Sequence, residues 1–328
     1  MTQLKNLDFL LQERYRTLRK AEMVAVLKIQ DQLIHSIRKF LRKKGFVEIL
    51  APIIGPVTDP GIRGAKQVSF SYYGTEFKVM SSMILYKQMV VAAIPKVFSI
   101  SPNIRLEPPE TVDTKRHLTE FRQVDLEQAF SSYDNVMRLA EKMYCKVIEE
   151  TKVKCRRELE LLKRKIETPS RPFRRYSYKE AVEIVNSLGF DVKYGEELNW
   201  KAEEAISKIH REPFWIVDYP ITARGFYYLE HPETPGILRD FDLLYPEGYG
   251  EAISGGERET RYLKVVERIK RGGEDPIKYG WYLKMLKNGI PPSAGFGIGV
   301  ERLTRYVCGL ENIWDAVPFP KVAGIASP

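Results

Sequence analysis

The stretch Gly295-Phe-Gly-Ile-Gly-Val-Glu-Arg-Leu303, near the end of a chain of 328 residues, is the most informative part of the sequence. Glycines at 295, 297 and 299 allow a ligand to approach the backbone closely. The pattern predicts a strand at 294–298 and a helix from Gly299, which places Arg302 in the first turn of that helix. A dinucleotide-binding site is a weaker interpretation, because the third glycine does not fit the spacing and no βαβ unit follows.

Two acidic strand candidates lie upstream, Asp240-Phe-Asp-Leu-Leu244 and Gly250-Glu-Ala-Ile-Ser-Gly-Gly-Glu-Arg258. Asp242, Glu251 and Ser254 offer the hard oxygen ligands that suit Mg²⁺, which usually takes one or two carboxylates together with substrate phosphates. The alternative is a β-hairpin with solvated acids and a glycine turn. These segments alone leave both interpretations open.

A third constellation, earlier in the chain, combines cations with an aromatic residue. If Arg105 and Glu107 alternate along one strand, both side chains leave the same face, where the arginine can hold a phosphate and the carboxylate can accept from an amino group. A returning strand would bring Arg116 and His117 to the same ligand, with Phe121 as a flat surface for a base. The alternative is a pair of charged strands joined by cross-strand salt bridges.

Composition is that of a soluble globular protein, with 44% hydrophobic and 29% charged residues. The sequence has no uncharged apolar run of transmembrane length and no recognisable leader peptide, so we expect a cytoplasmic protein without a membrane partner. The cysteines are odd in number and lack metal-ligand spacing, which favours a reducing compartment: Cys145, Cys155 and Cys308.

Much of the net charge of +9 comes from the basic stretch 152–175. One interpretation is a surface for nucleic acid. The interpretation that we favour is a solvated helix face, because Glu158, Glu160 and Glu167 can pair with the neighbouring bases.

Helices and strands alternate in a way that favours an α+β class, in which helices flank an antiparallel sheet. We predict a single catalytic domain over residues 1–328, with a helical insert at about 168–212 that follows two prolines. Predicted helices lie at 21–44, 135–166, 178–188, 200–210, 257–270 and 276–286. Predicted strands lie at 46–50, 68–73, 76–80, 97–100, 119–130, 214–217, 225–229, 241–244 and 251–253.

In this order, the three constellations resemble the signature motifs of class II aminoacyl-tRNA synthetases, most closely the aspartyl/asparaginyl/lysyl branch. Motif 1 would be 40–52, which forms the dimer interface in that family, motif 2 would be 98–127, and motif 3 would be 295–303. The resemblance extends over about residues 10 to 320 and implies ATP and Mg²⁺ as substrate and cofactor. It also implies a homodimer whose interface includes the helix at 21–44 and the strand that ends at Pro52. The apolar stripe of that helix favours the same interface, because Val24, Leu33 and Phe40 make it too wide for a fully exposed helix.

The resemblance also implies roles for individual residues in ATP binding. Arg105 would bind the α-phosphate and the activated carboxylate, and Glu107 would accept from the adenine amino group. Phe121 and Arg302 would cover the two faces of the adenine, and Arg302 would reach the γ-phosphate together with Arg116 and His117.

Metal and amino-acid binding are implied by the same resemblance. Glu251, with Asp242 and Ser254, would hold Mg²⁺, while Lys87 and Arg258 would bind the non-reacting carboxylate of an acidic amino acid. A cationic pair would favour aspartate over asparagine, because an amide would leave the buried positive charge uncompensated.

Two departures from the branch shape the functional prediction. The catalytic helix begins near residue 20, which leaves no room here for the anticodon-reading domain, and Ile84 stands where aspartyl enzymes place a glutamine. The chain is thus similar to the archaeal asparagine synthetases related to asparaginyl-tRNA synthetase, in which aspartate is adenylated on its β-carboxylate and ammonia displaces AMP. We therefore expect aspartate and ammonia as partners and do not expect tRNA. The alternatives are a truncated synthetase paralogue that charges tRNA or a protein amine, and an inactive RNA-binding homologue.

Overall fold

A computed structural model of the protein describes residues 2–61 and 64–328; residues 1, 62 and 63 of the predicted domain lie outside this part. Its helices are α1 (Thr2–Gln12), α2 (Arg14–Thr17), α3 (Ala21–Lys43), α4 (Ile84–Val90), α5 (Tyr133–Lys154), α6 (Arg156–Leu161), α7 (Tyr178–Ser187), α8 (Trp200–Lys208), α9 (Tyr262–Arg271), α10 (Gly280–Asn288) and α11 (Val300–Cys308). Its strands are β1 (Val47–Glu48), β2 (Ile54–Gly55), β3 (Ser69–Tyr72), β4 (Thr75–Val79), β5 (Lys96–Ile104), β6 (Glu120–Ala129), β7 (Arg174–Ser177), β8 (Phe214–Val217), β9 (Asp240–Tyr245), β10 (Gly250–Glu257) and β11 (Ser293–Gly299).

Within the described residues, eight strands form one sheet in the order β1-β5-β6-β11-β10-β9-β8-β7. Neighbouring strands inside the sheet are antiparallel. At the two edges, β1 is parallel to β5 and β7 is parallel to β8. A smaller sheet joins β2 to the β3–β4 hairpin. The predicted α+β class with an antiparallel-dominated sheet is confirmed.

Helix α3 is stabilised by an apolar stripe that packs against α5 and the large sheet. Ile29, Leu33, Ile37 and Leu41 recur on one face and are almost completely buried in the main core. Burial of each such side chain contributes about 1.5–3 kcal/mol. The predicted helix at 21–44 is confirmed to within one residue at its end.

Four local predictions differ from the structure. The predicted helix at 135–166 breaks at Cys155 into α5 and α6, and α9 begins at Tyr262, because β10 continues through Glu257. Residues 225–229, all of them described, form a turn and one isolated bridge at Tyr228, and no strand. The strand predicted at 46–50 is limited to two residues.

The segment predicted as a helical insert contains α7 and α8 together with the strand β7. A capping box at Ser177 begins α7, because the Ser177 and Glu180 side chains exchange hydrogen bonds with each other's backbone N–H. The unpredicted strand β7 pairs with β8 and so attaches this segment to the large sheet. Among the described residues, the structure has no helix that is long and apolar enough to cross a membrane.

Candidate active site

A cavity of about 570 Å³ opens over the middle strands β6, β11 and β10. Asp242 does not line it, but the other ten predicted site residues do: Lys87, Arg105, Glu107, Arg116, His117, Phe121, Glu251, Ser254, Arg258 and Arg302. The sheet register explains much of this convergence, because Gly297 of β11 lies between Asp125 of β6 and Ser254 of β10.

Arg105, Glu107 and Phe121 form one wall of the cavity. Arg105 and Glu107 do not alternate along a strand as predicted, because β5 ends at Ile104. The Arg105 guanidinium instead lies 5.1 Å from the centre of the Phe121 ring and donates to the carbonyl oxygen of Ser81. Burial raises the pKa of Glu107, while Arg105 and Arg302 partly offset this rise. The wall thus combines a guanidinium, a carboxylate and an aromatic face.

Arg302 lies in the first turn of α11, where the glycine-rich stretch predicted it. Its Nη1 is 3.3 Å from Oε1 of Glu251, and the two side chains remain 23% and 16% exposed. A predicted phosphate-binding cation and a predicted metal ligand therefore contact each other at the rim of the cavity.

Arg116 is buried at the same end of the cavity and forms an ion pair with Glu203 of α8. Its Nε and Nη1 are buried without a hydrogen-bond partner among the described residues. His117 contacts the Thr114 hydroxyl through Nδ1. We refer to Arg105, Arg116, Glu251 and Arg302 as the outer end of the cavity.

The predicted metal trio is only partly assembled. Arg224 donates from Nη2 to Oδ2 of Asp242 at 2.5 Å, its Nε lies 2.9 Å from Asp240, and its guanidinium stacks 3.6 Å from the Tyr219 ring centre. Burial would lower the pKa of Arg224, but the Asp242 and Asp240 carboxylates raise it well above its ordinary value. In the described part of the chain, no three His, Cys, Asp or Glu side chains are grouped to hold a metal.

Glu251 and Ser254 line the cavity and fit a Mg²⁺ ion that keeps most of its coordination for water and phosphate. Asp242 does not line the cavity, and its Oδ2 accepts from Arg224. Sequence reasoning missed Arg224, because its loop resembled a strand.

Lys87, Asp125, Glu127 and Arg258 form the inner end of the cavity. Lys87 Nζ lies 2.9 Å from Oδ1 of Asp125 and 3.8 Å from Oε2 of Glu127. Arg258 donates from Nε and Nη2 to the two oxygens of Glu127, each at 2.9 Å. All four residues are at least 97% buried, so their formal charges cancel inside the protein. An amide substrate would therefore not leave the charge of Lys87 and Arg258 uncompensated, so the argument for a preference for aspartate is wrong.

The buried pair of Arg258 and Glu127 requires a glycine at position 295. A Cβ atom at position 295 would lie 2.1 Å from Oε2 of Glu127 and 2.2 Å from the carbonyl oxygen of Leu126. Any larger residue would displace the carboxylate that holds Arg258. The glycine-rich stretch thus makes room for the protein's own ion pair.

Comparison with known proteins identifies the family. The family model for class II tRNA synthetases (D, K and N) matches residues 6–323. The asparagine–tRNA ligase of Pyrococcus abyssi is 34% identical over 317 residues, which are 96% of this chain and 72% of the relative. The aspartate–tRNA(Asp/Asn) ligase of Methanothermobacter thermautotrophicus is 36% identical over 316 residues, 96% of this chain and 71% of the relative.

A solved structure agrees with these relatives. The asparaginyl-tRNA synthetase of Pyrococcus horikoshii, complexed with asparaginyl-adenylate, superposes with a TM-score of 0.91 at 33% identity, covering 97% of this chain and 73% of that one. These similar proteins are named as tRNA ligases or synthetases, and this contradicts our prediction that tRNA is not a partner. The match over nearly the whole sequence shows that this chain belongs to the class II tRNA synthetases of the D, K and N group.

Proposed function

We propose that this chain is an ATP-dependent ligase that activates aspartate or asparagine as an acyl-adenylate. The observation that carries the proposal is the cavity itself, which is lined by Arg105, Phe121 and Arg302 together with the buried side chains of Lys87 and Arg258. The solved relative that contains asparaginyl-adenylate supports the same chemistry. Nη1 of Arg258 is buried without a hydrogen-bond partner among the described residues, so it offers a donor to a substrate oxygen.

The proposed reaction is an in-line displacement at the α-phosphorus. A carboxylate oxygen of the amino acid forms the new P–O bond, and the bond to the leaving pyrophosphate breaks. Arg105 would neutralise the charge that develops at the α-phosphate, while Arg302 and Arg116 would bind the departing phosphates. A bound Mg²⁺ would add charge neutralisation on the phosphates, held by Glu251 and Ser254.

We propose tRNA as the acceptor of the activated acyl group, because the relatives are named for that transfer. Ammonia is a second candidate acceptor, which would attack the acyl carbon and release AMP to leave an amide. Ile84 favours it, because this buried apolar side chain lines the cavity where aspartyl enzymes place a glutamine. A site without that amide would orient its amino acid differently.

ATP–pyrophosphate exchange with aspartate or asparagine tests the activation step. Release of AMP from ATP and the activated amino acid, with tRNA or with ammonium, then separates the two acceptors. Exchange with neither amino acid would overturn the proposed activity. Label from aspartate on tRNA would support the first acceptor, and free labelled asparagine formed only with ammonium would support the second.

We propose a homodimer as the assembly, but the structure gives a different reason for it than the apolar stripe of α3. The apolar stripe of α3 is satisfied by α5 and the sheet of the same chain. Leu50, Ile53 and Val47, around the short strand β1, are instead 99%, 59% and 46% exposed. Sedimentation at micromolar concentration should show a dimer, and Leu50→Glu should shift it toward monomer. A wild-type monomer would disprove the assembly.

A further inference from the structure

We propose that Glu203, in helix α8 of the insert, is a positioning residue that holds Arg116 for the triphosphate end of ATP. The inference rests on the proposed function. Oε2 of Glu203 lies 2.5 Å from Nη2 of Arg116, and both side chains are about 95% buried. A charge-assisted contact of this kind fixes the plane of the guanidinium. The insert thus reaches the nucleotide site through one carboxylate.

Helix α8 is itself tied to the sheet beside the site. Ser207 lies one turn after Glu203 and so on the same helix face. Its hydroxyl donates to the carbonyl oxygen of Tyr245 and accepts from the backbone N–H groups of Gly248 and Gly250. The turn between β9 and β10 therefore sets the position of α8, and α8 sets the position of Glu203.

Gly250 lies against both Arg116 and Glu203. Its φ of +72° lies in the left-handed region, and a Cβ atom there would approach Nη1 of Arg116 to 2.5 Å and Oε2 of Glu203 to 3.6 Å. Any larger residue at position 250 would therefore disturb this ion pair.

The ion pair leaves Arg116 incompletely satisfied. Nε and Nη1 are buried and lack hydrogen-bond partners in the described part of the chain, although a buried guanidinium normally has acceptors for most of its donors. Arg116 and Arg302 line the same cavity, and both lower the pKa of Arg305, whose largest shift comes from burial. A cluster of cations with open donors fits a ligand that carries several anionic oxygens, such as a triphosphate.

The experiment measures the dissociation constants of ATP and AMP by calorimetry for the full chain. Glu203→Ala should weaken ATP binding about tenfold and leave AMP binding unchanged, because AMP lacks the phosphates that Arg116 would contact. Glu203→Gln keeps the length and a carbonyl acceptor and should show a smaller loss. Glu204→Gln is the matched control, since Glu204 is the next residue of the same helix and pairs with Lys208 near the surface.

A double-mutant cycle separates positioning from a general structural effect. In an Arg116→Ala background, Glu203→Ala should have no further effect on ATP binding. Unchanged or tighter ATP binding by the Glu203 variants, or an equal loss for ATP and AMP, would overturn the proposal. Failure of the wild-type protein to bind ATP would instead overturn the proposed function and this inference with it. Glu203→Gln keeps the test valid if the alanine variant does not fold.

Discussion

The two ends of the cavity use charged residues in different ways. At the inner end, Arg258 and Glu127 share two hydrogen bonds and are completely buried, and Lys87 is paired with Asp125 in the same core. At the outer end, Arg302 and Glu251 share one contact of 3.3 Å near the rim, and Arg116 keeps two donors without partners. Among the described residues, the charges at the inner end are balanced without a ligand, although Nη1 of Arg258 keeps a free donor, whereas at the outer end Arg116 lacks acceptors for two of its donors.

This difference separates stability from activity. A buried pair that loses one partner leaves an uncompensated charge, so changes at the inner end should destabilise the fold. Arg302 and Glu251 at the rim are partly exposed and, in the proposed function, contact the phosphates and the metal ion, so changes there should affect catalysis. Variants at the two ends of the cavity test this distinction.

The largest effect is expected for Glu127→Ala, which should lower the free energy of unfolding by about 3–5 kcal/mol, because Arg258 remains buried without its partner. Urea denaturation measures this. Glu120→Ala is the control, since Glu120 lies on the same strand but is 33% exposed. A loss below about 1 kcal/mol for Glu127→Ala would show that the inner pair contributes little to stability.

Arg302→Ala should reduce ATP–pyrophosphate exchange roughly a hundredfold or more and leave the melting temperature nearly unchanged, because the guanidinium would stabilise charge on the phosphates. Glu251→Ala should behave in the same way through loss of metal binding. Arg302→Lys retains the charge but loses the planar donor geometry, so its exchange rate should lie between those of the wild-type protein and Arg302→Ala. Near wild-type exchange by both alanine variants would refute the assignment of the outer end.

The pH dependence of stability should reflect Glu301, which accepts the backbone N–H of Arg122 beneath the outer end. Burial raises its pKa from 4.5 to about 7. The folded state therefore holds this proton more tightly than the unfolded state does. The contribution of Glu301 to the free energy of unfolding is full below pH 4.5 and is lost as the pH rises through 7. We expect the free energy of unfolding to fall by about 1 kcal/mol over that range.

Glu301→Gln should flatten this decline in denaturation curves measured between pH 4.5 and 7. Glu311→Gln should leave it in place, because Glu311 is exposed and its pKa is lowered by Lys115. An unchanged slope in Glu301→Gln would assign the decline to other groups.

The smallest effect is expected for Ile84→Gln at the inner end. The new amide would restore a polar group where aspartyl enzymes have one, so the ratio of kcat/KM for aspartate to that for asparagine should change by a few-fold. Ile84→Leu, which conserves volume without polarity, is the control. An identical ratio in all three proteins would show that position 84 does not orient the amino acid.

The sequence predicted the elements whose signals are local. The 3.6-residue periodicity of α3 and the glycine-rich β11 with Arg302 after it were located almost to the residue, and ten site residues do line one cavity. It could not predict pairings that depend on tertiary packing. The partners that neutralise Lys87 and Arg258 come from another strand, and Glu203 comes from the insert, so no spacing along the chain revealed them.

Arg224 was missed for a different reason. Aromatic residues after Gly225 gave its loop a high strand propensity, but the chain there forms only isolated bridges while Arg224 turns inward to Asp240 and Asp242. Local propensity carried no information about a buried acidic pair on β9.

The position of β11 has a consequence for how the protein is made. It is the last strand of the chain, yet it lies between β6 and β10, and Gly295 pairs with Glu127, 168 positions earlier. Such distant pairing is slow, because much of the chain must be ordered before the contact forms. During synthesis, β6 and β10 therefore present unpaired edges that can associate with other chains. The ribosome must release the residues of β11 before the sheet can close, and we expect a nascent chain that ends before residue 293 to be the species most dependent on chaperones.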